Sequence, residues 1–320
     1  MYRSVLKTLG LVLILALMLP VLGVFAQDAL IVQLPEVDAL GVSGDIVVAG
    51  SSTVFPLTER MAERFREDGY SGEISIASIG SGAGFERFCV TGEIDISNAS
   101  RPIRESEVES CRSIGREPIE FRVGTDALAI TVSVDNTFVE NLTIADLALI
   151  FGGAELWSDV NPDWPSEPIQ LFIPGTDSGT FDYFVEEIFD EDESLILAAG
   201  AQMSEDDNVL VQGVSGSQYA IGFFGFAYYQ ENSDVLRVVN IEGVEPTAAS
   251  TEDGSYPLAR PLFIYSDATI MAEKPQVAAF INYYLTNVNN EVIDVGYFPA
   301  SDAALNVARA YWLAANTMGQ

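Results

Sequence analysis

The sequence predicts a two-lobed α/β protein on three observations: its length, a strand-turn-helix pattern that occurs three times, and two late apolar strand-like stretches able to link two halves. Removing a 26-residue leader from the 320 residues leaves 294, more than one hydrophobic core usually serves. A hydrophobic content of 48% supplies enough apolar surface for two cores.

The leader is residues 1–26. Arg3 and Lys7 precede an apolar run from Leu9 to Leu22, and Val24-Phe25-Ala26 offers a cleavage site, so the pattern predicts a secretory signal and a mature chain from Gln27. The run is short for a spanning helix, though a retained anchor is the alternative. Anchoring by a lipid on a following cysteine is excluded, because the chain's two cysteines are Cys89 and Cys111. In an exported chain these two can close one disulfide, with two buried thiols as the other reading.

After a polar leader over residues 27–44, the first strand is predicted over residues 45–49, where Ile46-Val47-Val48 is continuous and apolar. Gly50-Ser51-Ser52-Thr53 makes the turn, and Leu57, Met61 and Phe65 recur every four residues among charged neighbours, which predicts a helix from about Pro56. The second copy runs from a strand over residues 73–78 through Gly80-Ser81-Gly82-Ala83-Gly84 to a helix opening at Phe85, Phe88 and Cys89. The third joins a strand over residues 169–173 through Gly175-Thr176-Asp177-Ser178-Gly179-Thr180 to Phe181, Phe184, Val185 and Ile188 on a helical face.

Residues 121–134 and 261–265 read as the crossover strands, dividing the chain into lobe 1 (45–122 plus 260–320) and lobe 2 (123–259). Residues 220–229 read as an aromatic strand and turn of the core, and residues 274–285 and 302–315 as helices.

Function classes fall away by composition. The chain has no histidine, which removes the usual general base, the commonest metal ligand and every His-dependent triad. Two cysteines and no histidine leave no ordinary zinc or haem site, and no cofactor is expected. The net charge of −32, which becomes −34 without Arg3 and Lys7, repels nucleic acid and anionic lipid. An anion site must therefore be local and overcome the global field.

The three turns supply such chemistry. A helix N-terminus exposes unsatisfied N–H donors at the positive end of its dipole, glycine admits close backbone approach, and Ser or Thr adds hydroxyl donors. The same residues are also ordinary helix caps. Arg101, at the polar end of the strand-like stretch from Glu93, adds a forked cationic donor or, equally, a surface ion pair. The glycines match neither a P-loop nor a dinucleotide fingerprint.

Taken in order, Gly50-Ser51-Ser52-Thr53-Val54-Phe55-Pro56, Gly80 to Gly84, Asp95 to Pro102 and Asp177-Ser178-Gly179-Thr180-Phe181-Asp182-Tyr183-Phe184 resemble the phosphate-binding proteins of the high-affinity phosphate ABC transporter. The stretches 220–232 and 256–265 resemble them too, so the likeness spans about residues 45–310. It implies a periplasmic-binding-protein fold, each lobe a mixed sheet flanked by helices, with one phosphate between the lobes. Position by position it implies donors from Ser52, Thr53 and Val54, from Ser81, and from Ser178, Gly179 and Thr180. Best-known members carry Asp where this chain has Arg101, and an Arg shortly before the third turn where it has Pro174-Gly175-Thr176. That moves the cation across the cleft and leaves Asp177 as candidate acceptor for the proton that distinguishes phosphate from sulfate, with holding Arg101 or capping the helix as its other roles.

The reading expected from sequence is an extracytoplasmic, monomeric, non-enzymatic binding protein that delivers inorganic phosphate to a membrane ABC permease and binds no nucleic acid. The alternatives are another oxyanion such as sulfate or molybdate, an extracellular phosphate-ester hydrolase, and a surface module without ligand.

Overall fold

The computed structural model describes residues 31–176 and 178–317; the predicted signal peptide and Asp177 lie outside them. The first strand-turn-helix unit is β1 (Ile46–Gly50) and α1 (Phe55–Glu67), whose Leu57, Met61 and Phe65 are fully buried, as their four-residue spacing demands. The second is β2 (Ile74–Ser78) and α2 (Ser81–Glu86), followed by a π-helical turn over Arg87–Thr91. Here the structure corrects the sequence reading: the glycine-rich segment is the first turn of the helix, not a loop before it. The reason is close packing, because a Cβ on Gly84 would stand 2.6 Å from the Cα of Gly50.

Next come β3 (Ile96–Ala99), α3 (Glu105–Ser113) and the long strand β4 (Ile119–Ser133). Cys89 of the π-helical turn is disulfide-bonded to Cys111 of α3. Arg116 completes this corner, donating to the carbonyls of Phe88, Gly92 and Ile94, groups that the ends of short helical turns leave without partners.

The chain continues through β5 (Asn141–Leu142), α4 (Ile144–Phe151) and α5 (Trp157–Val160) to the third unit, β6 (Gln170–Pro174) and α6 (Gly179–Phe189). Then follow α7 (Glu193–Ala198), β7 (Gln202–Ser204), α8 (Asp207–Ser215), β8 (Ala220–Gly225) and α9 (Phe226–Glu231). Residues 226–229, expected as a strand end and turn, are thus helical. The short elements β9 (Leu236–Val238), β10 (Asn240–Ile241) and α10 (Ala248–Glu252) lead to β11 (Ala259–Ser266), and α11 (Ala268–Glu273), α12 (Pro275–Glu291) and α13 (Asp302–Thr317) close the chain.

The principal sheet has the order β2-β1-β3-β11-β4-β8-β6-β7, with β9 also pairing β4. The pairs β1-β2, β1-β3, β6-β7 and β6-β8 are parallel, whereas β11 and β4 pair antiparallel with each other and with their neighbours β3 and β8. These two strands run through both halves. Phe121, Val123, Leu262 and Ile264 belong to one hydrophobic cluster with α1 and α12, while Ala127, Leu128, Ile130 and Leu258 belong to a second with β6, β8 and α6. Along β6 and β8 the buried residues alternate: Leu171, Ile173, Ile221 and Phe223 face the second cluster, and Phe172, Ala220 and Phe224 a smaller one under α8. Covering both faces of a parallel pair is what a strand hydrophobic throughout requires.

Closing a loop with cysteines 22 residues apart restricts the unfolded chain by about 3 kcal/mol. A Cys89→Ser, Cys111→Ser double variant is expected to lose about that much stability, with Tm lower by roughly 5–10 °C in a thermal melt. A melt indistinguishable from that of the parent would show that the bond does not tie down this corner.

Candidate functional site

The ends of β1, β2, β3 and β6 each lead into a polar turn; pairing of β1 with β2 and β3 gathers the first turns on one wall of a cleft between the two main clusters, and the turn after β6 lies on the other. Gly50 makes this possible on the first turn. Its φ is +142°, and a Cβ there would meet the Asn98 carbonyl oxygen at 2.1 Å, so only glycine lets β1 pass so close to the end of β3. Ser51 N–H donates to that carbonyl (2.9 Å), which holds residues 51–53 beside Ser100. On the second turn, the Ser81 hydroxyl accepts from Ser100 N–H (3.1 Å) and lies 3.3 Å from the Ser100 hydroxyl.

A cavity of about 420 Å³ opens here, lined on one side by Ser52, Thr53, Ser81, Ser100, Arg101 and Arg104 and on the other by Asp182, Glu186 and Glu193, with Arg260 between. Of the residues expected from sequence, Ser52, Thr53, Ser81 and Arg101 line it. Val54 is fully buried at the start of α1, its N–H turned to the Ser51 hydroxyl (3.4 Å). Ser178 caps α6, accepting from Thr180 N–H (3.2 Å), and Gly179 lies against the other wall of the cleft, where a Cβ would stand 3.1 Å from the Thr53 Cα. Neither these two nor Thr180 is among the residues lining the cavity.

Arg101 is only partly free. Its guanidinium makes a bidentate pair with Glu107 (2.7 and 2.9 Å), donates to the Pro102 carbonyl (3.1 Å) and sits over the Phe85 ring at 5.2 Å. The bond to Glu107 raises the pKa of Arg101. Burial alone would push the Glu107 carboxyl up, but Arg101 and the Arg104 N–H prevail and hold it below the usual range.

The residue that the motifs did not disclose is Arg260. It stands on β11 opposite Asp126 of β4, at the point where the strands pass from one core to the other. Arg260 is 8% exposed and Asp126 fully buried. Nε donates to Asp126 Oδ2 at 3.2 Å, Nη2 donates to the Thr53 hydroxyl and to the Gly179 carbonyl (3.1 Å), and the guanidinium lies 3.7 Å from the centre of the Tyr183 ring. Thr53 belongs to the first turn and Gly179 to the third, so one side chain ties both walls of the cleft. Nη1 has only long contacts, 3.5 Å to the Ser100 hydroxyl and 3.6 Å to Glu186. It is the donor least committed within the protein, and it faces the cavity. The available signal in the sequence was a lone cation in the apolar run Leu258-Ala259-Arg260-Pro261-Leu262 of a chain with only 15 Lys and Arg.

Burial raises the Asp126 carboxyl, and Arg260 opposes that. Burial likewise raises Asp182, against the pull of Arg260 and the Ser52 hydroxyl. The arrangement is a set of hydroxyl and guanidinium donors suited to a small oxyanion, fenced by carboxylates on the α6 side.

Such a fold and site define a solute-binding domain, and the family profile described as "PBP superfamily domain" matches residues 39–288. The chain belongs to that superfamily and, within it, to the family of the Protein SphX and phosphate-binding protein PstS chains. It is 44% identical over 274 residues to Protein SphX of Synechococcus elongatus, covering 82% of this chain and 80% of that one. To the phosphate-binding protein PstS of Staphylococcus saprophyticus it is 36% identical over 260 residues, covering 79% and 80%. Among solved structures, a "possible phosphate binding protein" from Planctomyces limnophilus superposes with a TM-score of 0.79 at 38% identity, over 86% of this chain and 99% of that one.

Truncating Arg260 would strand the Asp126 charge in the interior, at a cost of about 3 kcal/mol. Arg260→Met is therefore expected to unfold at lower denaturant than the parent at pH 8. A carboxyl whose pKa is raised on folding takes up a proton in the folded state that the unfolded chain lacks, so stability falls as pH rises through that window. The deficit should thus shrink as pH is lowered toward 5, and Asp126→Asn, Arg260→Met should abolish its pH dependence. A deficit constant from pH 5 to 8 would refute the assignment.

Proposed function

We propose that the protein is an exported, monomeric solute-binding protein that captures inorganic phosphate in this cleft and hands it, without chemical change, to a membrane ABC permease. The observation that carries the reading is the cavity itself: Ser52, Ser81, Ser100, Arg101 and the Nη1 of Arg260 converge on one space in a chain of net charge −32. Membership of a family whose relatives include phosphate-binding proteins supports phosphate as the ligand. Among the described residues no helix is long and apolar enough to cross a membrane, and no cluster of potential ligands could hold a metal.

In this reading the lobes are 45–122 plus 260–320 and 123–259, with β4 and β11 as the hinge. Closure brings the amides of Gly179 and Thr180 and the hydroxyls of Ser178 and Thr180 onto the anion, joining Ser52, Thr53, Ser81 and Arg101, with the Val54 N–H at the start of α1. Asp177 supplies the acceptor for the phosphate proton. Arg260 adds the central cation.

Calorimetric titration of the protein, stripped of bound anion by partial unfolding, is expected to show tight one-to-one binding of phosphate and weak binding of sulfate at neutral pH. Arg101→Ala and Arg260→Lys should each weaken phosphate by roughly tenfold or more, and Ser81→Ala by about fivefold, from the worth of charged and neutral hydrogen bonds. Asp177→Asn should narrow the gap between phosphate and sulfate. Equal affinity for both anions in the parent would move the reading to a general oxyanion carrier. Turnover of a phosphate ester would replace it with a hydrolase.

A further inference from the structure

We propose that Glu186 is a tethered counter-anion, a carboxylate that occupies the free donor of Arg260 when the cleft is empty and gives it up to the arriving ligand. The inference rests on the oxyanion-binding reading above and concerns the same site.

The geometry of Arg260 distinguishes its donors. Nε is held by Asp126, Nη2 by Thr53 and Gly179, and the plane of the guanidinium by the Tyr183 ring. None of these can be exchanged without disturbing the junction of the two cores. Nη1 is different: beyond the long 3.5 Å contact to Ser100, the group closest to it is Glu186 Oε2 at 3.6 Å.

Glu186 projects from α6 into the cavity, and its side chain is 52% exposed against 9% for Arg260. Its charge also acts on Arg101, whose pKa it helps to raise, so it bears on two of the cations that line the cavity. A carboxylate offers a guanidinium the same planar pair of acceptor oxygens that a phosphate edge does. Glu186 therefore copies the ligand in charge and in acceptor geometry, on a side chain solvated enough to swing away at small cost.

Such a group has two effects. It spares a nearly buried cation from facing an empty cleft, and it sets a fixed penalty that every anion must meet, whether or not that anion carries a proton. The second effect separates Glu186 from a selectivity acceptor, which would favour phosphate over sulfate.

The test titrates the full chain and its Glu186→Gln variant with phosphate and with sulfate at low and high salt. Glu187→Gln serves as control, removing the same formal charge one residue along α6 without the contact. The expected result is an affinity gain of about two- to fivefold for Glu186→Gln, the same for both anions, shrinking toward unity at high salt, with a smaller gain for Glu187→Gln. Three results would overturn the inference: no gain, an equal gain from Glu187→Gln, or a loss for phosphate with a gain for sulfate, which would make Glu186 the proton acceptor. If the parent protein bound phosphate normally, any of these would remove the counter-anion alone. A parent that bound neither anion would remove the oxyanion reading and the counter-anion with it.

Discussion

The buried pair between Asp126 and Arg260 is the constraint on which the rest of the structure depends. It joins the two antiparallel strands where each leaves one hydrophobic cluster and enters the other, so it sits at the junction of the two cores. Two charges in such a place are tolerable because they pair through Asp126 Oδ2, and because further guanidinium donors reach Thr53 and Gly179. In the proposed function, structural necessity and anion recognition are thereby met by one side chain. The protein cannot relocate this cation without rebuilding the junction of its two cores.

Much of the fold was legible because it is written locally. Spacings of four in α1, a continuous apolar strand before each polar turn, and small hydroxyl residues at helix starts are signals contained within a dozen residues. The misreadings were tertiary in origin. Gly80 to Gly84 looks like a loop by propensity, yet Ser81 to Gly84 form the first turn of α2, where Gly84 packs against the backbone of Gly50. Phe226 to Tyr229 looks like strand by its aromatic content, yet forms α9 where its ring packing on Phe298 decides.

The site divides the same way. Ser52, Thr53 and Ser81 were found because each lies in a local motif. Arg260 was not, because its importance comes from the cross-strand register that sets it opposite Asp126, and register between residues 134 apart leaves no trace in either segment alone. Arg101 shows the converse. Its isolation in an acidic chain made it conspicuous, but Glu107, one helical turn into the next element, claims most of its donors. Cations are scarce here and mostly engaged: Arg116 and Arg237 serve backbone carbonyls, and Arg122 pairs with Glu252. In the proposed function, recognition of an anion draws on the few guanidinium hydrogens that structure leaves over.

Gly179 has a bearing on this that reaches past its own backbone. Where it meets Thr53, the two walls of the cleft touch with no side chain between them, and one added methyl would need a few tenths of an ångström of extra room. In the proposed function, residue 179 acts as a doorstop whose thickness sets how far the cleft can shut. A methyl there would press on the Thr53 backbone, 3.1 Å away at its N and Cα, and so hold the door ajar and lower the share of fully shut molecules. Affinity for every anion would fall together while the ranking among anions stayed as it was. In this architecture, strength of grip and choice of cargo can be adjusted at separate positions.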